Sequence, residues 1–191
     1  MPAGPDAVRR AVLDAAAALF VRDGVAQVTL REIATAAQVN LGLISRYIGS
    51  RDELIRAVFA DLSEQLAEEI RTSPTASRGF DDDTVMVRWT RVLTYLTVVD
   101  PDVAVEIGSL PFHELHDVIE RVYGLSDTAA RLRTAQIMAL ALGWRLHEPY
   151  LVDAAELDRS TLDEIRAEVT RTNRRIGATP LPSPADPPLR G

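Results

Sequence analysis

The stretch from Thr29 to Tyr47, TLREIATAAQVNLGLISRY, decides how the rest of the chain is read. Thr29 is an N-cap, and Glu32 three residues on completes a capping box, in which each side chain satisfies the other residue's free backbone donor. Leu30, Ile33, Ala34 and Ala37 then share one face of a short helix. Gln38 and Val39 close a turn with Val39 as its apolar anchor, and Asn40 caps a second short helix that carries Leu43, Ile44 and Tyr47. The pattern is a helix-turn-helix. Two helices this short bury too little to stand alone, so a third must lie behind them.

The chain offers one on each side. From Ala7 to Arg22, Val8, Val12, Ala15, Ala16, Leu19 and Phe20 follow a helical period, with Asp6 as cap and Gly24 as stop. Residues 1 to 6 are expected to fray. Val25 and Val28 bracket the connection into Thr29. Downstream, Gly49 breaks, Ser50 caps and Glu53 takes the box position. Leu54, Val58, Leu62, Leu66 and Ile70 continue to about Arg71, roughly 30 Å at 1.5 Å per residue. That is longer than a small head needs, and predicts a lever joining it to a body.

Residues 72 to 80, TSPTASRGF, form a polar break with Pro and Gly together, and Asp81 to Asp83 follow. In VMVRWTRVLTYLTVV, Val85, Trp89, Val92, Leu96 and Val99 make one stripe, widened by Met86, Leu93 and Tyr95, which predicts a largely buried helix. Asp100-Pro101 restarts a short helix to Ile107. FHELHDVIERVY then turns Phe112, Leu115, Ile119 and Val122 inward. Gly124 stops that helix and Ser126 caps the next, from Asp127 to about His147, which is apolar on nearly all sides from Ala135. One side can face the core and another, of small residues, a second copy. Glu148 to Leu157 reads as a connector through Pro149, and Ser160 with Asp163 opens a last helix through Ile165, Val169 and Ile176. The expectation is an all-α chain of about nine helices. Its divisions are a three-helix head over residues 7–50, a larger helical body over 51–176 and a flexible tail over 177–191, which holds five Pro and two Gly.

Charge is uneven along the chain. The net charge is -7, yet residues 1 to 59 carry seven Arg against six acids, and residues 60 to 191 fourteen Arg against twenty-two. An acidic body is repelled by nucleic acid and lets a local Arg patch orient the head. All 21 basic residues are Arg, which with the Ala-rich composition fits a GC-rich coding bias. Zero Cys removes disulfides, thiolate catalysis and zinc fingers together. With no apolar run near ~18 residues and no basic-then-apolar N-terminus, a soluble intracellular protein is expected.

A helix-turn-helix serves either as a DNA reader or as plain scaffolding. If Ile44 points inward, Leu41, Gly42, Ser45 and Arg46 lie on the free side of a short helix, which suits a major groove about 12 Å wide. Gly42 permits close approach, Ser45 can donate or accept, and Arg46 can reach a guanine edge or a phosphate. The plain alternative for Arg46 is a solvated surface side chain. Thr29 and the amides that open its helix can hold a phosphate. Arg51 sits in the first turn of its helix, where the dipole disfavours a cation, and a phosphate would account for it. Arg9, Arg10 and Arg31 are weaker candidates.

Residues 24 to 59, GVAQVTLREIATAAQVNLGLISRYIGSRDELIRAVF, resemble the DNA-binding head of the TetR family of bacterial repressors. The matching features are a Gly before the first short helix, T-x-x-E-I-A, a Val before the second cap, Gly42, Tyr47, Ser50 with a basic residue after it, and Leu54. The family usually has Tyr at Ser45, a polar residue at Leu41, Phe at Ile48 and Lys at Arg51. Its Tyr commonly touches phosphate, a contact that Tyr47 can take over here. GWRLHEP from Gly143, with the LVDAAEL that follows, looks like the end of the penultimate helix in a large subgroup of such regulators. The resemblance implies a ligand-responsive transcriptional regulator, a repressor, binding a palindromic double-stranded DNA operator as a homodimer through its last two long helices. Its implied location is the cytoplasm, at the nucleoid, and its implied DNA-contacting set is Thr29, Arg31, Asn40, Leu41, Gly42, Ser45, Arg46, Tyr47 and Arg51. It also implies an effector pocket in the body, coupled to the head through the lever.

Trp89, Val92, Tyr95, Phe112, His113, His116 and Met138 are candidates for the wall of that pocket, binding a small apolar or aromatic effector, with core packing the alternative for Trp89 and Phe112. His113 and His116, three apart beside Asp117 and Glu120, can converge on an ion. With three His in the chain and no thiolate, a surface or pocket-rim pair is the reading preferred, and no metal or cofactor is expected. No Ser-His-acid set, phosphate loop, paired catalytic carboxylate or H-E-x-x-H is present, so no enzyme is expected. The second functional class is a helical small-molecule-binding or scaffold protein without sequence-specific DNA binding.

Overall fold

The computed structural model describes residues 4–72 and 84–179, which form nine α-helices and one short 3-10 turn with no strand among them. The all-α expectation holds. Packing gathers the chain into two compact units, residues 1–114 and 115–191. The boundary between these packing units falls inside the helix Leu110–Tyr123. The expected head shares one packed unit with the helices that follow it.

In the first unit, α1 (Pro5–Asp23) lies against α2 (Leu30–Ala36), α3 (Leu41–Tyr47), α4 (Arg51–Thr72) and α5 (Val85–Val99). It does so because Val8, Val12, Ala16, Leu19 and Phe20 recur at three- and four-residue intervals and are all buried. The helix stops at Gly24, whose φ of +86° suits glycine and whose N–H bonds the Phe20 carbonyl. Along α4 the residues Leu54, Ile55, Val58, Phe59, Leu62, Leu66 and Ile70 are at most 2% exposed. Burying each such side chain stabilises by about 1.5–3 kcal/mol, which fixes this helix as the spine of the unit. Trp89 of α5 closes the core, with its ring stacked 5.9 Å from Phe59 and its Nε1 donating to Ser63 Oγ at 2.9 Å. Val99, expected on the same stripe, is exposed.

Asp100 caps α6 (Pro101–Gly108) as expected and also pairs with Arg56 of α4 at 2.7 Å. Gly108 lies where α6 meets α4 closely enough that a Cβ there would be 2.9 Å from Phe59 Cζ. After Ser109 the chain enters α7 (Leu110–Tyr123), whose Glu114 pairs with Arg71 at 2.9 Å.

In the second unit, Ser126 caps α8 as expected. This helix, Asp127–Ala154, runs straight through Pro149, so the connector expected from Glu148 is helical as far as Ala154. A proline removes one ladder bond and crowds the preceding turn. Here the turn is anchored sideways: Glu148 accepts from Trp144 Nε1 at 2.8 Å and from Arg166 at 2.9 and 2.6 Å. The helix ends in a Schellman arrangement, with Glu156 at φ +53° and the N–H groups of Glu156 and Leu157 bonding the carbonyls of Asp153 and Val152. Asp158, not Ser160, then caps the chain, accepting from Ser160 N–H at 2.8 Å and opening a 3-10 turn, Arg159–Thr161, ahead of α9 (Leu162–Ala178). α9 reaches two residues past the expected end of the body. The break expected over 73–80, the acids at 81–83 and the tail from residue 180 lie outside the described residues.

Candidate nucleic-acid interface

The capping box at α2 is present in full. Thr29 N–H and Oγ1 donate to Glu32 Oε2 at 2.8 and 2.7 Å, and Glu32 N–H donates to Thr29 Oγ1 at 3.3 Å. The side-chain bond and then the backbone bond from Thr29 hold the Glu32 carboxyl below the usual carboxylate range. α2 closes on Gln38, at φ +55°, with Gln38 N–H bonding the Thr35 carbonyl and Val39 N–H the Ala34 carbonyl. This Schellman turn sets the angle at which α3 leaves α2.

Asn40 caps α3 through a 2.8 Å bond from Gly42 N–H to its Oδ1. The role of Asn40 is therefore to start the helix, and a Cβ on residue 42 would press on that oxygen at 3.3 Å. Ile44 is fully buried, with α3 packed on α1 and α2. Gly42, Ser45 and Arg46 are exposed on the other side, and Leu41 and Tyr47 are half-buried. The Arg46 guanidinium stands 5.5 Å from the centroid of the Tyr47 ring, a cation–π contact that gives this side chain a defined place on the surface. Thr29 and Arg31 are also exposed, and Arg31 borders a shallow groove with Leu19, Arg22, Glu32, Thr35 and Ala36.

Arg51 departs from its expected role. Its Nε donates to the Val28 carbonyl at 3.2 Å and its Nη2 to the Val25 carbonyl. The guanidinium thus clamps the α1–α2 connection to the start of α4, and this explains a cation in a first turn without a phosphate. Those partners lie 26 and 23 residues upstream, so no local pattern could reveal them. Ser50 and Glu53 form the expected second box, with bonds of 2.7 and 3.2 Å.

The expected pocket residues divide between the units. Trp89 and Val92 are fully buried and Met138 nearly so, and they present no surface to a ligand as packed. Tyr95 and Phe112 are half-buried and His113 is exposed. His116, in the second unit, is brought together with Asp117 and Glu120 rather than with His113.

Residues 12–58 match the family described as bacterial regulatory proteins, tetR family. The chain is 35% identical over 180 residues to the HTH-type transcriptional repressor Rv3405c of Mycobacterium tuberculosis (strain ATCC 25618 / H37Rv), covering 92% of each chain. The HTH-type transcriptional regulator Mb3439c of Mycobacterium bovis matches to the same extent. In fold, SCO7518 of Streptomyces coelicolor A3(2) superposes with a TM-score of 0.61 at 21% identity, over 90% of this chain and 99% of that one. No described helix is long and apolar enough to cross a membrane. The pairing of a fully capped α2–α3 unit with relatives that align along nearly the whole length leaves one assignment: the chain belongs to the TetR family of bacterial transcriptional regulators.

Proposed function

We propose that two copies of this chain bind an operator of two-fold symmetry in the cytoplasm and repress the adjoining gene until a small apolar or aromatic effector releases them. The observation that carries the reading is the face of α3, with Gly42, Ser45 and Arg46 outward and Ile44 sealed behind them. Arg46 reads a base edge in the major groove, and Ser45 and Leu41 contact neighbouring positions. Gly42 lets the backbone approach, while Tyr47, Arg31 and the first turn of α2 hold phosphates. Asn40 acts indirectly, by fixing where α3 begins. The repressing sense follows the name of the Mycobacterium tuberculosis relative. Dimerisation uses α8 and α9, and the effector binds the body, where Tyr95, Phe112, His113 and His116 are the expected wall residues that keep accessible surface. The effector lowers DNA affinity by the same factor by which DNA lowers effector affinity. No side chain is assigned a catalytic role.

The test is binding of the purified protein to DNA from upstream of its own gene, across a range of salt. Affinity is expected to fall steeply with salt. Arg46→Ala is expected to lose about 1–3 kcal/mol on that fragment and little on random DNA. Equal loss on both assigns Arg46 to phosphate, and a folded dimer that shifts no fragment at low salt removes the operator reading.

A further inference from the structure

The corner between α7 and α8 gathers charged groups that DNA reading does not use. His116, Asp117 and Glu120 each offer one ligand atom within 4.8 Å of the other two. His116 and Glu120 are four residues apart, so they lie on one helical face. The imidazole is fixed: its side chain is 12% exposed, with Nδ1 2.9 Å from Asp117 Oδ1 and Nε2 3.2 Å from Oδ1 of Asp127, the first residue of α8. Nε2 is closed to solvent and its approach to Asp127 is not aligned for a hydrogen bond. Arg131 bonds Asp127 at 2.9 Å, and its guanidinium is held in the charged form by Asp127 first and by Glu120 and Asp117 after it. One guanidinium thus answers three carboxylates around a largely buried imidazole, a donor set that suits a divalent first-row metal.

The geometry points to a transition-metal site at this corner, ligated by His116 Nδ1 and the carboxylates of Asp117 and Glu120, with water completing the shell. Two ligands at about 2.1 Å around a tetrahedral ion stand about 3.4 Å apart. Nδ1 and Asp117 Oδ1 are hydrogen-bonded at 2.9 Å, and the ion would displace the proton between them as the two atoms part slightly. Asp127 is a positioning residue: its carboxylate stands 3.2 Å from Nε2, on the far side of the ring from Asp117, and its charge helps hold the imidazole with Nδ1 toward Asp117. His113 is exposed and takes no part. A sequence search for a second histidine or a cysteine passes over this set, because its other members are carboxylates. Asp117 and Glu120 are exposed and must be ordered on binding, which lowers the affinity.

The test uses the full chain without a tag, stripped by a chelator and titrated with Zn²⁺ in a calorimeter, with Co²⁺ absorption as a second readout. One equivalent per chain is expected, weakened about 10–100-fold by Glu120→Gln and by Asp127→Asn and unchanged by His113→Ala. Glu120 is exposed, so its variant keeps the fold, and His116→Ala is compared at matched helicity. Binding that is indifferent to Glu120→Gln and His116→Ala, binding lost with His113→Ala, or no saturable heat below about 1 mM, far weaker than ordered N/O sites, each overturns the site.

Discussion

Replacing Arg51 separates two roles that predict opposite measurements. Its guanidinium donates to the carbonyls of Val25 and Val28 from a half-buried position. A charge-assisted bond contributes about 1.5–3 kcal/mol net, and carbonyls near the surface regain water when the partner is removed. Arg51→Ala is therefore expected to cost about 2 kcal/mol in total, less than the sum of two full bonds. For a chain of this size that is a drop of about 4–8 °C in Tm, measured at fixed protein concentration because any self-association would couple to stability. Arg51→Lys, with a point charge that reaches one carbonyl, should fall between. The salt dependence of DNA binding supplies the second axis. If Arg51 neutralised a phosphate, its removal would lower the slope of log K against log salt by about 0.9. The clamp predicts an unchanged slope once the folded fraction is matched. A variant that melts within a degree of the parent and loses that slope would refute the clamp.

Three further outcomes follow from packing and charge. Gly108→Ala sets a methyl 2.9 Å from Phe59 Cζ, a ring with no exposure, and should cost about 1–3 kcal/mol in urea unfolding. Gly177→Ala is the control: its Cβ would be 2.7 Å from Tyr123 Cε2, but that ring is 36% exposed and can swing outward. The gain of about 1 kcal/mol from Ala over Gly in a helix then leaves it near neutral. The Glu148 carboxyl, held below the usual range first by the Arg166 bond, stabilises the α8–α9 pairing above its unfolded pKa and loses that contribution as pH falls through the folded value. Glu148→Gln should lose about 1–3 kcal/mol at neutral pH, and its difference from the parent should vanish in acid; a constant difference across that range contradicts the assignment.

What could be read from sequence was local. The boxes at Thr29–Glu32 and Ser50–Glu53, and the caps at Asp100 and Ser126, depend on residues three apart and were all legible. Pro149 was misleading because its penalty is local while two of the three bonds that hold its turn come from Arg166, eighteen residues away from Glu148. Ser160 was the wrong cap because Asp158, two residues earlier, takes the Ser160 N–H that Asp163 would accept in a box, and adds a charge at the helix start. The outward face of α3 was legible because a helix of seven residues with one deeply buried Ile44 has little choice of facing. The burial of Trp89 and Val92 was not, since such residues look the same in sequence whether they line a cavity or fill a core.

The chain has two tryptophans, and each compact unit holds one. Trp89 is sealed against Phe59 and bonded to Ser63, whereas Trp144 is half-buried and bonded to the Glu148 carboxylate. Their emission should differ in wavelength, because one indole sees hydrocarbon and the other a charge with water nearby. Changing either ring to Phe yields a protein with a single intrinsic fluorophore. The two units can then be watched melting one at a time and without a label.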